Sequence, residues 1–162
     1  MKIGRLTISD RAAAGVYEDR SGPEIEKVLA ELLGPDAVFA STIVPDDVEL
    51  IAAALRHFAD EQKCDVVVTT GGTGVSPRDV TPEATRQVLE KELPGFGEIM
   101  RLQSFATVHT AILSRAVAGT RGRTLIVNLP GRPSAVRECL ELLAPAIREG
   151  LADLRGEDPH AG

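Results

Sequence analysis

The sequence predicts an α/β protein, a three-layer α/β/α sandwich whose mostly parallel sheet gains an antiparallel hairpin strand. Short β-branched runs alternate along the chain with segments of helical period, and this alternation is typical of βαβ units. The clearest run, Val66 to Thr70, has no polar face, as expected of a buried parallel strand. It leads directly into Gly71-Gly72-Thr73-Gly74, where glycine frees the backbone to turn and expose its amides.

The composition indicates one globular domain. With 162 residues, 43% of them hydrophobic and 26% charged, the chain is expected to form a single domain over residues 1–162. A formal net charge of −6 disfavours a nucleic-acid partner, because binding a duplex needs clustered Lys and Arg. The first residues contain neither the apolar region of a signal peptide nor a membrane-spanning run. We therefore expect a soluble cytoplasmic protein without a membrane partner.

The first predicted strand covers Lys2 to Ser9, and a loop from Ala12 to Arg20 follows it. Ser21-Gly22-Pro23-Glu24 has the pattern of a capping box, in which the Ser side chain satisfies an amide at the start of a helix. The sequence therefore predicts a helix that begins at Ser21 and ends at Gly34-Pro35.

The second predicted strand covers Ala37 to Val44, and either Asp46 or Asp47 is expected to cap the helix after it. The buried strand that starts at Val66 is the third. The helix after its glycine turn is predicted from about Pro82 to Lys91, with Thr81 as its N-cap and Pro82 at its first position.

The last third of the chain predicts a hairpin between two helices. A helix containing Phe96 and Leu102 comes first. Ala116 to Gly119 and Thr124 to Leu129 are predicted strands, and the short connection between them favours an antiparallel hairpin. A long helix containing Val136 to Ile147 closes the predicted fold. Its Cys139, like Cys64, is expected to be a free thiol, because neither has a second Cys or His at metal-ligand spacing.

Four loops are expected to meet at one edge of this sheet. Ligands of parallel sheets bind beyond the carboxyl ends of the strands, and the loops there are polar or contain glycine or proline. These loops are Ser9 to Ser21, Pro45-Asp46, Gly71 to Thr81, and Leu129 to Pro133.

The glycine turn itself matches neither common nucleotide-binding motif. No lysine follows its glycines, as in a Walker A loop, and it lacks the third glycine of a dinucleotide fingerprint. A simple tight turn therefore stays an alternative. Its neighbours Ser76, Arg78, Asp79 and Thr81 nevertheless offer donors for phosphate oxygens and a carboxylate for a divalent cation. The loop as a whole favours a phosphate-transfer site.

Asp46 and Asp79 occupy equivalent places after adjacent predicted strands. A magnesium site with two carboxylates is therefore geometrically possible, although either side chain could instead cap a helix or close a turn. Such a site would position the reactants and neutralise their charge, as in other phosphoryl or nucleotidyl transfers.

Eight short motifs follow one another from the first predicted strand to the last predicted helix. They are Ile8-Ser9-Asp10-Arg11, Glu18-Asp19-Arg20-Ser21-Gly22, Val44-Pro45-Asp46, Thr69-Thr70-Gly71-Gly72-Thr73-Gly74, Arg78-Asp79-Val80-Thr81-Pro82-Glu83, Pro94-Gly95-Phe96-Gly97-Glu98, Ala111-Ile112-Leu113-Ser114-Arg115 and Asn128-Leu129-Pro130-Gly131. Together they resemble the molybdopterin adenylyltransferase family, the Mog-type branch of the molybdenum cofactor biosynthesis proteins. That branch is related to the G domains of gephyrin and its plant counterpart.

The resemblance implies the α/β domain of these proteins, assembled as a homotrimer. It also implies an activity, the transfer of AMP from Mg-ATP to the terminal phosphate of molybdopterin with release of pyrophosphate. Mg²⁺ would be the cofactor and ATP the co-substrate. A partner enzyme, the molybdenum insertase, would use the adenylated molybdopterin for metal insertion.

The resemblance also implies roles for individual residues. Asp46 and Asp79 match the family's essential acidic positions, where they would be catalytic, hold Mg²⁺ and orient the triphosphate. The residues implied to bind pterin and nucleotide are Gly71, Gly72, Thr73 and Gly74 in the phosphate-contacting turn, and Ser9, Asp10, Asp19, Ser21, Gly22, Ser76, Thr81, Pro130, Gly131 and Pro133 in the surrounding loops. Relatives vary at the position of Arg132, so no contact is implied for it.

Two other functions stay open on the sequence. The first is a molybdopterin-binding carrier or scaffold of the related MoaB type, which would deliver or protect the cofactor without chemistry. The second is a generic phosphosugar- or nucleotide-binding α/β protein, which would explain the glycine turn but not the other loops.

Overall fold

The structure, a computed structural model, describes residues 1–157. Its centre is a six-stranded sheet with the strand order β2-β1-β3-β6-β5-β4. The strands are β1 (Lys2–Ile8), β2 (Val38–Val44), β3 (Val66–Thr70), β4 (Lys91–Glu92), β5 (Ala118–Arg121) and β6 (Thr124–Leu129). The four strands β2, β1, β3 and β6 are parallel, whereas β5 and β4 are antiparallel to their neighbours. The predicted fold class, including the hairpin, is confirmed.

Helices cover both faces of the sheet. They are α1 (Asp10–Ala13), α2 (Ser21–Leu33), α3 (Val48–Arg56), α4 (Thr81–Val88), α5 (Pro94–Phe105) and α6 (Pro133–Leu154), with a π-helical turn at His57–Glu61 and a 3₁₀ turn at His109–Leu113. One apolar cluster joins α2, α5 and α6 to the sheet, and a second joins α3 and α4 to its other face. Across residues 1–157, no helix has both the length and the apolar character needed to span a membrane.

The central strand β3 contributes to both apolar clusters. Val66 and Val68 pack on the side of α2 and α6, whereas Val67 packs on the side of α3 and α4, because successive side chains of a strand point to opposite faces. All five residues of β3 are buried, as its sequence predicts. The glycine turn therefore leaves the sheet from a rigid strand. Cys64 and Cys139 are buried free thiols, also as predicted.

Several predicted boundaries differ from the observed ones because of pairing with distant residues. The helix predicted to reach Lys91 ends at Val88, since the amide of Glu90 donates to Thr120 O at 2.8 Å and the short edge strand β4 begins. The first hairpin strand is β5 rather than Ala116 to Gly119, because its register pairs Ala118 with Val127. The predicted loop after β1 starts with a helical turn, α1, capped by the Oγ of Ser9.

Two predicted helix caps are wrong. Ser21 does not cap α2; its hydroxyl donates to Gly131 O at 2.9 Å, and Asp19 accepts from the amide of Gly22 in its place. Thr81 is the first residue of α4 rather than its N-cap, and its hydroxyl donates to Gly71 O at 2.9 Å. Both hydroxyl groups thus join separate loops instead of satisfying their own helix.

The cap of α3 decides between the two aspartates considered for it. Asp47 is the N-cap, with its Oδ1 accepting from the amide of Leu50 at 3.0 Å. Asp46 is therefore not needed for the helix start, and its carboxylate faces the neighbouring loops.

A buried polar network supports the glycine turn from below. The amide group of Asn128, which is fully buried, donates to the hydroxyls of Thr69 and Thr85 at 3.0 Å each. Thr85 donates in turn to Thr81 O at 2.8 Å, and the hydroxyl of Thr81 donates to Gly71 O. The network links β6, β3 and α4 to the turn, and paired buried polar groups of this kind favour one defined arrangement.

Candidate active site

The four loops predicted to meet do lie at one edge of the sheet. The register pairs Thr7 with Thr70, Thr70 with Leu129, and Ile8 with Val44, so the parallel strands end at the same level. The segments that follow them therefore converge above the carboxyl ends of the strands, where α/β proteins bind ligands.

The glycine turn requires glycine for steric reasons. Gly71 and Gly72 have φ values of 97° and 69°, in the left-handed region that L side chains rarely adopt. A Cβ atom on Gly71 would overlap Ile8 O, and one on Gly72 would overlap the hydroxyl of Thr81 and lie 3.1 Å from Oδ1 of Asp46. A Cβ atom on Gly74 would lie 2.8 Å from Oδ2 of Asp79. The carboxylates of Asp46 and Asp79 thus both lie against this turn. The expectation that they follow adjacent strands is wrong, because β1 lies between β2 and β3 in the sheet.

Asp46 is held by a reciprocal pair of bonds with Asp10. The amide of Asp10 donates to Oδ2 of Asp46 at 3.0 Å, and the amide of Asp46 donates to Oδ1 of Asp10 at 2.9 Å. Arg78 binds both carboxylate oxygens of Asp10 at 2.9 Å. The side-chain bond from Arg78, followed by the amide bond from Asp46, lowers the pKa of Asp10. Asp10 and Arg78 together fix the loop that carries Asp46.

The pKa of Asp46 is raised, in contrast to that of Asp10. Burial is the main cause, and the negative charges of Asp10 and Asp79 add to it. The carboxylate of Asp79 closes its own turn, because its Oδ2 accepts from the amide of Ser76 at 3.0 Å. Within residues 1–157 the hydrogen bonds to these carboxylates end on Oδ2 of Asp46 and Oδ2 of Asp79, which leaves the Oδ1 atom of each for a ligand.

The carboxylates of Asp46 and Asp79 suit a magnesium ion whose other ligands come from a substrate and from water. Within residues 1–157 no group of three or more His, Cys, Asp or Glu side chains is placed to hold a metal ion. Mg²⁺ is usually bound by one or two carboxylates together with phosphate oxygens and water. A cation beside Asp46 and Asp79 would also offset the repulsion that helps to raise the pKa of Asp46.

Two cavities flank the glycine turn and share Gly131 in their walls. The smaller, of about 180 Å³, lies between the β1 loop and the turn, and the predicted binding residues in its lining are Ser9, Asp19, Ser21, Gly71 and Gly131. The larger, of about 450 Å³, contains Thr73, Gly74, Pro130 and Gly131. The other predicted residues lie outside both linings; they are Asp10, Gly22, Asp46, Gly72, Ser76, Asp79, Thr81 and Pro133.

Several predicted binding residues use their polar atoms to hold the loops together. Asp19 accepts from Arg5 and Thr7 through Oδ2, at 2.8 Å each, and from Gly22 through Oδ1. The hydroxyls of Ser21 and Thr81 donate to backbone carbonyls. These three residues therefore hold the walls of the pocket in position.

Most of one wall of the larger cavity consists of residues that the sequence does not predict as site residues. This wall comes from α5 and the 3₁₀ turn after it, and its members include Arg101, Ser104, Thr107, Val108 and Ser114. Arg132, for which no contact was implied, also lies in the lining. The one available signal was the motif that ends in Ser114-Arg115, to which no role was given.

Known proteins resemble this chain along most of its length. The family model described as a probable molybdopterin binding domain matches residues 4–149. The molybdopterin adenylyltransferase of Helicobacter pylori (strain J99) is 56% identical over 145 residues, which is 90% of this chain and 82% of that protein. The molybdopterin adenylyltransferase of Escherichia coli (strain K12) is 46% identical over 141 residues, 87% of this chain and 72% of that protein.

A solved structure gives the same result for the fold. The crystal structure of the molybdopterin biosynthesis enzyme MoaB from Thermus thermophilus aligns with a TM-score of 0.87 at 44% identity, and the match covers 96% of this chain and 97% of that one. Because the family model and these relatives span most of the chain, the predicted family is confirmed, and the protein belongs to the molybdopterin-binding family that includes the molybdopterin adenylyltransferases.

Proposed function

We propose that this protein is a molybdopterin adenylyltransferase of molybdenum cofactor biosynthesis. In this reaction a terminal phosphate oxygen of molybdopterin attacks the α-phosphorus of ATP. The bond from that phosphorus to the oxygen bridging to the β-phosphate breaks, and pyrophosphate leaves with the electron pair. The products are adenylated molybdopterin and pyrophosphate, so the atoms balance.

One observation carries this proposal beyond family membership. Two cavities flank the glycine turn and share Gly131 in their walls, and the carboxylates of Asp46 and Asp79, although outside both linings, lie against that turn. A transfer between two bound substrates needs two adjoining spaces and a charged centre near their junction. A site for a single ligand has no need of both.

In the proposed reaction the protein mainly positions the substrates. The amides of the glycine turn would bind phosphate oxygens, as in other anion sites at strand ends. Asp46 and Asp79 would hold Mg²⁺, which when bound neutralises and orients the triphosphate. The contacts of Asp10 and Arg78 keep the loop of Asp46 in place during the reaction.

The direct test is adenylate formation. Incubation of the protein with molybdopterin, ATP and Mg²⁺ is expected to yield adenylated molybdopterin. Asp79→Asn should abolish turnover, a loss of at least about 100-fold, and leave molybdopterin binding intact. Asp47→Asn is the matched control, because it removes a charge next to Asp46 but keeps the cap oxygen of α3. A wild-type protein that binds molybdopterin and never forms the adenylate would contradict the proposal.

The MoaB-type carrier is the second candidate, favoured by the likeness to the structure named MoaB. A carrier has no use for ATP or for the repelling pair of carboxylates. Calorimetric titration with ATP, with and without Mg²⁺, separates the two functions. The adenylyltransferase should bind ATP more tightly with Mg²⁺ than without, whereas a carrier should respond to neither.

We extend the proposal to the assembly and the partners that the family resemblance implies. The protein is a homotrimer, passes its product to the molybdenum insertase and works in the cytoplasm. The buried free thiols Cys64 and Cys139 agree with a reducing compartment. Exposed apolar side chains on α5 and the following turn, among them Leu102 and Ile112, support a subunit contact.

A further inference from the structure

We propose that Arg115 is a positioning residue that fixes the loop from Thr73 to Asp79 and thereby the carboxylate of Asp79. The consequence for catalysis rests on the proposed function. The positioning itself can be tested without any turnover. Arg115 lies between the 3₁₀ turn at His109–Leu113 and strand β5, on a segment distant in sequence from the glycine turn.

Arg115 contacts the loop at both of its ends. Its own amide donates to Thr73 O at 2.8 Å, and its Nε donates to Gly74 O at 2.8 Å. Its Nη2 donates to Asp79 O at 2.9 Å. One residue therefore holds three backbone carbonyls that stand on opposite sides of an exposed stretch, residues 75–78.

Glu83 orients the guanidinium group for this task. Nη1 of Arg115 donates to Oε1 and Oε2 of Glu83 at 2.9 and 2.7 Å, and Glu83 lies in the first turn of α4. The bond to Glu83 is the main cause that raises the pKa of Arg115, so the group stays charged. All three guanidinium nitrogens are engaged by the protein. These contacts are those of a residue that acts through the loop.

The loop needs an external support because its own backbone is easily deformed. It follows Gly71 and Gly72, both at positive φ, and contains Gly74, and glycine restricts the backbone less than any other residue. The two bonds between Ser76 and Asp79 lie within the loop and do not attach it to another element. Just before the loop, the hydroxyl and the amide of Thr81 donate to Gly71 O and Gly72 O. Two contacts connect the closed turn of Asp79 to the rest of the fold. One is the exposed ion pair between the Arg78 and Asp10 side chains, and the other is Arg115, which holds the backbone of the loop itself.

Lysine cannot replace Arg115 in this position. Its ammonium group is a single point charge, whereas the contacts require donors spread over a planar fork that reaches Gly74 O, Asp79 O and Glu83 together. The variant Arg115→Lys keeps the charge and the backbone bond to Thr73 but loses the fixed spacing of the other two carbonyls. We expect it to fold with a loosened loop.

Arg121→Lys is a matched control. Arg121 also binds a carboxylate in a fork, through Nε and Nη2 to Asp60, and donates to a backbone carbonyl, Val88 O. It lies at the end of β5 that adjoins the start of β6, at the opposite edge of the sheet from the site. Its replacement removes the same kind of contact at a place without a proposed role.

Hydrogen exchange measures the positioning directly. In Arg115→Lys the amides of residues 73–80 should exchange about tenfold faster than in the wild type, while the rest of the sheet is unchanged. Arg121→Lys should leave these amides as they are. Equal exchange of this segment in Arg115→Lys and Arg121→Lys would overturn the inference, whether or not the protein proves to be an adenylyltransferase.

Turnover then tests the link to Asp79. The kcat for adenylate formation should fall on the order of 100-fold in Arg115→Lys, with a severalfold higher Mg²⁺ concentration at half-maximal rate and an unchanged KM for molybdopterin. Glu83→Gln, which keeps one acceptor for Arg115, should show a smaller change in the same direction and serves if Arg115→Lys fails to fold. A wild type without turnover contradicts the proposed function alone, since the exchange result stands by itself. An active Arg115→Lys with the kcat of Arg121→Lys contradicts the link to Asp79.

Discussion

The carboxyl group of Asp46 is half-buried, and this burial is the main cause that raises its pKa above the ordinary value of 3.8. The negative charges of Asp10 and Asp79 act in the same direction. An aspartate placed for stability would have the opposite environment, with donors or cations that lower its pKa. Arg78 provides such an environment for Asp10 instead. The surroundings of Asp46 thus disfavour its negative charge, which agrees with its proposed role in holding a cation.

Asp46→Asn is therefore expected to stabilise the protein near neutral pH while it abolishes adenylate formation. Asparagine keeps an oxygen for the amide of Asp10 and removes the buried charge. Because the folded-state pKa of Asp46 is raised, ionisation disfavours folding above that pKa and has no effect when both states are protonated. The gain, which solvent screening at this partly exposed site keeps below about 1 kcal/mol, should be present at neutral pH and disappear as the pH falls toward 3.8.

Thermal unfolding of the wild type and Asp46→Asn at a series of pH values checks this expectation. Asp47→Asn again serves as the control, because Asp47 is exposed and caps α3 through an oxygen that asparagine retains. A lower Tm for Asp46→Asn at neutral pH, or a difference that grows on acidification, would contradict it.

At the scale of elements, β3, the glycine turn and α4 form one unit. The hydroxyl of Thr81, at the start of α4, donates back to Gly71 O, and the amide of Thr81 donates to Gly72 O at 3.1 Å. The helix start is thus fixed onto the turn rather than capped by a local side chain. A side chain at position 72 would have to displace the hydroxyl of Thr81.

Gly72→Ala tests that unit. The new Cβ atom would overlap the hydroxyl of Thr81 and crowd Asp46, in addition to the strain of a φ of 69°. Gly122→Ala is the matched control, since Gly122 has a φ of 56° and open space around it. We expect Gly122→Ala to cost about 1–2 kcal/mol in free energy of unfolding with normal turnover. Gly72→Ala should cost more and lose adenylate formation. Denaturant unfolding measures the costs, and equal costs with equal activity would exclude a special role for the turn.

The sequence predicted elements well where the signal is local. The buried character of β3, the hairpin of β5 and β6, and the convergence of four loops all follow from period, turn length and strand order. The predicted caps at Ser21 and Thr81 failed because those hydroxyls bind carbonyls elsewhere, in one case 110 positions along the chain. A capping pattern in the sequence considers only the amides of the next few residues and does not show a distant carbonyl that can accept from the same hydroxyl.

The same reason explains what was missed in the candidate site. The wall that α5 and the 3₁₀ turn contribute to the larger cavity has an ordinary amphipathic pattern, so nothing in it marks a pocket. Arg115 is likewise one of many arginines in the sequence. Only the fold brings it to Gly74 and Asp79, 36 to 41 positions away.

At the scale of the whole molecule, the exposed apolar side chains are unevenly distributed. Five of them lie on α5, on the 3₁₀ turn after it or on the short connection between the two; they are Leu102, Phe105, Val108, Ile112 and Leu113, with exposures of 38 to 67%. Val108 and Leu113 also line the larger cavity. A subunit contact on this face would cover apolar surface and stand next to the site. This is the face on which we expect the proposed homotrimer to form.

Ile112→Glu should therefore convert the trimer to monomers. Ile112 is 62% exposed in the single chain, so glutamate there leaves the fold intact but places a charge in the subunit contact, where burial without a partner is costly. Val38→Glu is the matched control, because Val38 is also 62% exposed and lies on the edge strand β2. Light scattering at micromolar concentration should give three times 17.2 kDa for the wild type and Val38→Glu, and 17.2 kDa for Ile112→Glu. A monomeric wild type would rule out the trimer, and dissociation by Val38→Glu alone would move the contact to the edge of the sheet.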